Sequence, residues 1–565
     1  MRTIVIRACV IAVAVGSGTP VFVSAQTLFP ITRSLQLQAT TAQQPAPGTP
    51  AAAQPAQLPA PVRRLSADDA VKLAVENNLG LQIARVNPQI QDLNVVLARS
   101  GWTPSFTSTL QSNSNNAPNQ SFLAGGQGLQ TTTDQFASNF GLRQQMRWGG
   151  TYEVGWDSSR VSSNSIFSTF SPQLRSSMSL AYSQPLLRNW SIDNTRQQVL
   201  VSAKNREMAD VDLRQTLAST IRTVRNAYWD LAYAVASLAV QQQSLELAQE
   251  SLRNTRARVE IGTTPPIDIV EAESEVATRE EAVIVAEAQI ETSEDTLRAL
   301  VFNPSMPDFW TIHIEPTELP DFKVDKVDVD AAVRTALDHR TDLINSRKSL
   351  EVTDITMRYY HNQTLPDVTA NVNYGLQGLG GTLLQRGIGA LGPGTGDVLS
   401  TSERGFGTVL GDLFHNTYPS WTAGVNISYP IGTSQADASL ARTKLQRAQA
   451  ETQLRNQELQ VATQVRQAAR QVQTNQQRVQ TTQASRQLAS RKLEAEQRKF
   501  TAGTSTSFLV FQAQRDLAQA RNNELRAILD YARSVVDLET VQEAPVNGGA
   551  AISAVQAQQV INNSN

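Results

Sequence analysis

Apolar residues recur along this chain at two different periods, and the two alternate in blocks. In one block every seventh residue is apolar: Leu217, Val224, Leu231, Leu238, Leu245, Leu252 and Val259. That repeat predicts a continuous helix from about 192 to 261, supercoiled left-handed against its neighbours. At about 1.5 Å per residue it reaches roughly 100 Å. The frame returns at Glu458, Val465, Val472, Val479, Arg486, Leu493 and Phe500, with two polar interruptions. Each helix stops at a glycine, Gly262 or Gly503, the residue expected just past a last turn. Second helices follow over about 267–301 and 507–541, and Pro265 and Pro266 sit where the first of them can begin.

Between the helices the period falls to two. Val368, Ala370, Val372 and Tyr374 alternate with Thr369, Asn371 and Asn373. Trp421, Ala423, Val425, Ile427 and Tyr429 alternate with Thr422, Gly424, Asn426 and Ser428. Earlier, Phe106 and Leu110 share a face, and Met178, Leu180 and Tyr182 alternate with Ser179, Ala181 and Ser183. Phe140, Leu142, Met146 and Trp148, then Gly149-Gly150, then Tyr152, Val154 and Trp156, give a hairpin signal over 138–157. Strands of about ten residues, apolar on one side and small-polar on the other, with Trp and Tyr near their ends, suit a transmembrane barrel. The polar side is Ser, Thr, Asn and Gly rather than Lys and Glu, which favours a wet lumen over the outer face of a soluble sheet.

The order of blocks occurs twice. Residues 65–110 align without a gap on 327–372, with Ala70, Ala74, Leu81 and Pro104 falling on Ala332, Ala336, Leu343 and Pro366. Residues 258–274 (RVEIGTTPPIDIVEAES) align on 499–515 (KFTAGTSTSFLVFQAQR). A duplicated unit of helix, β segment, long helix and return helix is a statement about architecture. It gives repeat one over 65–302 with its β segment at 104–185, an inter-repeat linker at 303–326, and repeat two over 327–541 with its β segment at 366–430.

The ends differ from the middle. Arg2 and Arg7, the apolar run Ala8 to Val15 and the small-residue site Val23-Ser24-Ala25 predict a secretory signal peptide over 1–25. Residues 26–64 are rich in Pro, Ala and Gln and read as a disordered lead-in, and 542–565 as a disordered tail. The one cysteine, Cys9, lies in the signal, so the exported chain has no disulfide and no thiolate site. No later stretch offers 18 consecutive apolar residues for a transmembrane helix.

Formal net charge is −2, which gives no electrostatic case for nucleic acid. The four histidines, His313, His339, His361 and His415, have no ligand spacing. Neither a nucleophile elbow nor a phosphate loop is present. Gly387-Ile388-Gly389-Ala390-Leu391-Gly392 matches G-x-G-x-x-G only literally, because Pro393-Gly394 follows where a helix should start. It lies in one of two Gly/Ser/Asn-rich inserts, 113–135 and 376–418, with the composition of outward loops. Asp325, Asp328 and Asp330 precede a helix and read as capping residues. No catalytic, cofactor or metal residue emerges, and the chain is not read as an enzyme.

The tandem order, a Gly-Thr at each helix tip (Gly262-Thr263, Gly503-Thr504) followed by an Ile/Leu-Val run ending in Glu/Gln-Ala (269–272 and 509–513), and Gln184-Pro185-Leu186-Leu187-Arg188 where a strand returns to helix, resemble the TolC family of outer-membrane efflux proteins. The resemblance spans about 65–541 and implies an α+β membrane protein. Three chains would each give four strands to a shared twelve-stranded outer-membrane barrel, continued by a periplasmic α-helical barrel. Such channels pass drugs, small molecules or proteins out of the cell in tripartite efflux or type I secretion systems. They dock on an inner-membrane transporter through a periplasmic adaptor. The hairpin at 138–157 departs from the four-strand plan: it either lengthens an outer loop or adds two strands. The competing reading is a periplasmic coiled-coil adaptor (membrane fusion) protein, whose helical hairpin would occur once, between short-stranded modules.

The resemblance places adaptor docking at Gly262, Thr263, Gly503 and Thr504. Relatives narrow the periplasmic end with an aromatic and an arginine near the second Gly-Thr, then two aspartates. The matching positions are Phe500, Ser505, Leu509 and Gln512, so the arginine and both acids are missing. In the same register Leu509 and Gln512 fall on Asp268 and Glu271 of the first tip. Asp268 matches a family aspartate that pairs with the missing arginine. The expectation is an apolar constriction near Phe500 and Leu509, with Asp268 and Glu271 supplying a nearby negative field.

Overall fold

The computed structural model describes residues 62–119, 130–320, 322, 326–389 and 392–545. The signal segment 1–25, most of the 26–64 lead-in, Asp325 and most of the tail lie outside the described residues. Within them the duplication appears element by element. Helices α1 (Ala67–Asn77) and α2 (Leu79–Ser100) correspond to α5 (Val329–His339) and α6 (Thr341–Gln363). The long helices α3 (Asn194–Glu260) and α8 (Gln435–Thr501) have 67 residues each, about 100 Å. Return helices α4 (Ile267–Val301) and α9 (Ser507–Glu543) complete each unit. Asp193 caps α3 and Ser434 caps α8, each accepting the backbone N–H three residues on. Asp328 caps α5 in the same way.

The seven-residue frame is the packing surface. Val224 and Leu231 of α3, and Val465, Val472, Val479 and Leu493 of α8, are buried. The two polar interruptions of α8 face ionic partners: Glu458 pairs with Arg347 of α6 at 3.5 Å, and Arg486 pairs with Glu524 of α9. Each repeat has its own core where the short first helix crosses the long one. Ala70, Ala74, Val224, Leu231 and Leu297 fill the first, and Ala332, Ala336, Val465, Val472 and Leu538 the second. Repeat-equivalent side chains also make the same bonds. Arg85 donates to the Val75 carbonyl and Arg347 to the Leu337 carbonyl, closing the ends of α1 and α5. Asn78 donates to the Leu300 carbonyl and Arg340 to the Val541 carbonyl, which ties each corner to the end of a return helix.

The linker between repeats carries an element that the sequence patterning missed. Strand β6 (His313–Pro316) pairs in parallel with β1 (Val62–Leu65), which takes up the last residues of the lead-in. Four residues are too few for a period to register. The Tyr228 hydroxyl docks this ribbon on α3 by donating to the Leu65 carbonyl and accepting the Glu318 N–H.

The remaining strands form one antiparallel sheet. Its order is β2 (Ser105–Pro118), β3 (Gln130–Gln145), β4 (Thr151–Ser163), β5 (Phe170–Pro185) and β7 (Asp367–Gly389). The first half of β7 then pairs with β9 (Pro419–Ser428) and its second half with β8 (Gly392–Arg404). At the level of β9 six strands lie side by side. Both strands of the 138–157 hairpin are inside the sheet, so six strands replace the four that the family resemblance implied. The two inserts are not loops throughout. Residues 113–118 and 130–135 extend β2 and β3, and 376–418 holds the rest of β7, β8 and a short helix α7 (Phe406–Phe414). Strands with polar residues on both faces show no alternation, which hides them from a period search. The G-x-G-x-x-G stretch is the β7–β8 hairpin tip, with Gly389 opposite Gly392 and residues 390–391 outside the described set.

Arg340 is 1% exposed and binds Asp342, Gln464 and the Val541 carbonyl. Its removal strands a carboxylate in a tight corner. We expect Arg340→Ala to lower stability by about 3 kcal/mol in chemical unfolding of the detergent-solubilised protein, and Asn78→Ala to cost about 1 kcal/mol.

Candidate functional site

Register makes the sheet a wall with two unlike faces. Phe106, Leu142, Val154, Leu180, Tyr374 and Trp421 stand opposite one another across all six strands. Two residues further on, the row on the same face reads Ser108, Phe140, Trp156, Met178, Leu376 and Pro419. Stacked rings bind the strands there, Phe106 on Phe140 with centroids 6.4 Å apart and Phe140 on Trp156 at 5.5 Å. The row between them points the other way and reads Thr107, Gly141, Gly155, Ser179, Gly375 and Ser420. The apolar face is uncovered by this chain: Phe106 is 68% and Trp421 75% exposed. A contiguous apolar band of this kind marks an interface. The opposite face is polar: its Gly/Ser/Thr row is flanked by a row with Arg143, Glu153 and Asn373 on one side and a row with Asn139, Asp157 and Gln377 on the other.

The far ends of the long helices are built alike. Gly262 has φ +74° and Gly503 φ +77°, and a Cβ at either would meet nothing within 4 Å. Glycine is needed there for its left-handed backbone, not for space. The Gly262 N–H donates to Val259 and the Thr263 N–H to Arg258; the Gly503 N–H donates to Phe500 and the Thr504 N–H to Lys499. This is the paired Schellman closure at both tips. The Thr263 and Thr504 hydroxyls donate to the same Arg258 and Lys499 carbonyls, at 2.9 and 3.2 Å. Just beyond, each return helix exposes an apolar side chain at the equivalent position: Ile267 is 62% and Phe508 52% exposed.

The two tips of one chain are also joined to each other. Arg258 lies over the Phe500 ring, 4.2 Å from its centroid. The Ser507 hydroxyl donates to Asp268 at 3.1 Å, and Arg515 reaches buried Glu275 at 3.4 Å. Asp268, deprived of the family arginine, thus accepts a hydroxyl from α9. Ser505, at the arginine's position, donates instead to Glu496 at 2.9 Å. Lys499 and then Ser505 hold the Glu496 carboxyl below its usual range. Phe500 packs within its own chain on Leu493, Val510, Ala513 and Leu517, while Leu509, Gln512 and Glu271 are exposed. Sequence patterning missed Arg258, Glu275, Ser507 and Arg515 as cross-tip partners. Their links join residues about 240 positions apart, and no local period reports that.

Among the described residues no helix is long and apolar enough to cross a membrane, and no group of acidic, His or Cys side chains could hold a metal. The model of the family described as outer membrane efflux protein matches residues 70–301 and 332–541. The chain belongs to that family. The two matched segments fall on the two structural repeats. No curated protein matches the chain in sequence. Its fold is similar to the CmeC outer membrane channel of Campylobacter jejuni, with TM-score 0.59 and 16% identity over 88% of this chain and 89% of that one. It is similar to VceC from Vibrio cholerae, with TM-score 0.57 and 16% identity over 85% of this chain and 97% of that one. It is also similar to the open state of the Neisseria gonorrhoeae MtrE channel, with TM-score 0.57 and 16% identity over 85% and 89%. The family is one of transport channels rather than enzymes. The chain is an outer-membrane exit channel for efflux, with its helices in the periplasm.

Proposed function

We propose that three copies of this chain close one barrel of eighteen strands, and that the barrel and the helical tunnel beneath it form the exit duct of a tripartite efflux system. The carrying observation is a seven-strand sheet with an apolar outer face, six strands wide at the level of β9, where β2 and β9 each pair on one side only; β8, beyond β9 along β7, likewise pairs only with β7. In hydrocarbon an unpaired strand edge costs several kcal/mol per orphaned backbone group, so the edges must meet a neighbouring copy. Barrels of this strand number enclose an aqueous channel. The small-polar face then lines the pore, and the segment at 1–25 acts as a signal peptide. A periplasmic adaptor seated on an inner-membrane transporter docks at the Gly262-Thr263 and Gly503-Thr504 tips. The exposed first-turn residues Ile267 and Phe508 supply apolar contact. Leu509 and Gln512 face the axis as the constriction, Phe500 acts as the prop behind them, and Asp268 and Glu271 set a negative field at its mouth that favours cations.

Three outcomes test this reading. Leu180→Arg and Val425→Arg, on the apolar face, should each cost about 2–4 kcal/mol of insertion per chain and remove the trimer from outer-membrane fractions. Ser179→Arg and Asn426→Arg should insert normally and lower single-channel conductance; equal tolerance on both faces would overturn the wall assignment.

At the tips, Ile267→Glu combined with Phe508→Glu should abolish export while the trimer remains in the membrane. Undiminished export would remove the docking role.

In planar bilayers, Leu509→Ala should raise the closed-state current, and Asp268→Asn with Glu271→Gln should reduce cation selectivity. Unchanged current in the first variant, or unchanged selectivity in the second, contradicts the corresponding part of the constriction.

A further inference from the structure

The short helix between β8 and β9 has no part in the duct just described. Its place on the wall is well defined. Gly378 and Gly380 belong to the apolar face, two and four residues beyond Leu376 on β7. A Cβ on Gly378 would strike the Val409 carbonyl at 2.3 Å, and one on Gly380 would strike a Val409 methyl at 2.5 Å. Those glycines exist so that α7 can lie directly on the outer face of the barrel. Val409 and Leu413 point into the wall and are buried. Ser176, beside Gly378 on β5, is fully covered, and its hydroxyl accepts the Trp156 indole N–H at 2.9 Å. Arg404 fixes the helix by an ion pair to Asp412 at 3.1 Å.

What α7 then shows to its surroundings is apolar. Phe406, Leu410 and Phe414 recur every four residues and make one edge of the helix. Phe414 is 82% and Phe406 39% exposed. Thr408 and Asp412 take the opposite edge. The level is set by Asn416, two residues past Phe414, which accepts the Tyr374 hydroxyl at 2.8 Å. Tyr374 belongs to the apolar row that crosses all six strands, so the end of α7 sits at the upper margin of that belt. The helix lies over β5 and β7, at the stretch of β7 around Gly378 and Gly380 that falls between its pairing with β9, which ends at Leu376, and its pairing with β8, which begins at Gly381.

We infer that α7 is an interfacial helix that inserts Phe406, Leu410 and Phe414 among the lipids of the outer leaflet. The occupant follows from continuity: the helix surface extends the lipid-facing belt without a break, on the side where the hairpin tips lead outward. An amphipathic helix lying in the interface plane gains by burying such an edge at the headgroup boundary. The strand face at this height is Leu110, Ser138, Ser158, Ser176 and Gly378, so next to α7 it offers only small or polar groups, and Leu110 stands at its far end on β2. The inference rests on the barrel reading above, and its test separates the two.

A nitroxide is placed at position 414 of the full chain by Phe414→Cys in a Cys9→Ser background, with the trimer in phosphatidylethanolamine/phosphatidylglycerol vesicles. Leu410→Cys is the second site in case the first variant fails to insert. Val425→Cys marks the lipid belt, and Ile388→Cys, at the β7–β8 tip and 83% exposed, marks water. Power saturation with oxygen and with a water-soluble nickel chelate reads the depth. The expected result is that labels at 414 and 410 take the sign of the label at 425, with oxygen relaxing them more than nickel, and that 388 takes the opposite sign. If 414 and 410 behave as 388 does, α7 stands in water and the inference falls while the barrel survives. If both reagents are excluded from 414 and 410, a protein surface covers the helix, which also overturns it. If 425 itself reports water, the wall assignment fails first.

Discussion

A β-sheet in hydrocarbon cannot keep an open edge. Water satisfies the backbone groups of an edge strand in solution, but inside a bilayer each orphaned N–H or C=O costs several kcal/mol. At the level of β9 the six strands side by side end in β2 and β9, each paired on one side, and β8 beyond it is paired on one side too. The remaining features of the molecule follow from that pair of edges. In the barrel proposed above, the strands close with copies of themselves, the apolar rows turn outward and the polar rows inward, and the helices that continue the strands form a tube. The duplication fits that proposal: two related units per chain would let the strands and two 67-residue helices share one circumference.

The periplasmic half depends on packing rather than on edge pairing. Each long helix is far longer than any core it could bury alone. Its stability comes from the seven-residue seam and from the corner where a short helix crosses it. The bonds repeated in both units, Arg85 and Arg347 to carbonyls one helix back, Asn78 and Arg340 to the end of a return helix, fix that corner. At the tips the balance is looser. Exposed glycine turns and a few cross-tip links, Arg258 over Phe500, Ser507 to Asp268 and Arg515 to Glu275, join α3–α4 to α8–α9. The Ser507 and Glu275 ends of two of these links are buried, while Arg515 is half exposed.

Much of this was legible in the sequence because it is periodic. The seam from Leu217 to Val259 outlined α3, the gapless matches at 65–110 and 258–274 exposed the two units, and alternation at 368–374 and 421–429 marked β7 and β9. Identities shared between the copies, such as Ala74 with Ala336 and Leu81 with Leu343, proved to be buried core positions. What stayed hidden lacked a period or was not local. The β1–β6 ribbon is four residues wide. The upper parts of β2 and β3, residues 113–118 and 130–135, are polar on both faces, and the glycine-rich upper part of β7 has apolar residues on both faces (Leu379 and Leu383, Leu384 and Ile388), so none of them alternates. Helix α7 lies in an insert whose glycines suggested a loop; Gly378 and Gly380 are there to let that helix approach. The cross-tip links join positions about 240 residues apart. The 138–157 hairpin was visible as two strands, but only pairing on both sides places it in the wall.

The central claim is that the hairpin belongs to the wall and that the wall closes between copies. Electron cryomicroscopy of the trimer in lipid nanodiscs reads it directly, as a strand count in cross-section at the height of Leu180. The account predicts eighteen strands, six from each chain, with β9 of one chain against β2 of the next. A twelve-stranded section with β3 and β4 outside the wall, or β9 closing on β2 of its own chain, would contradict it.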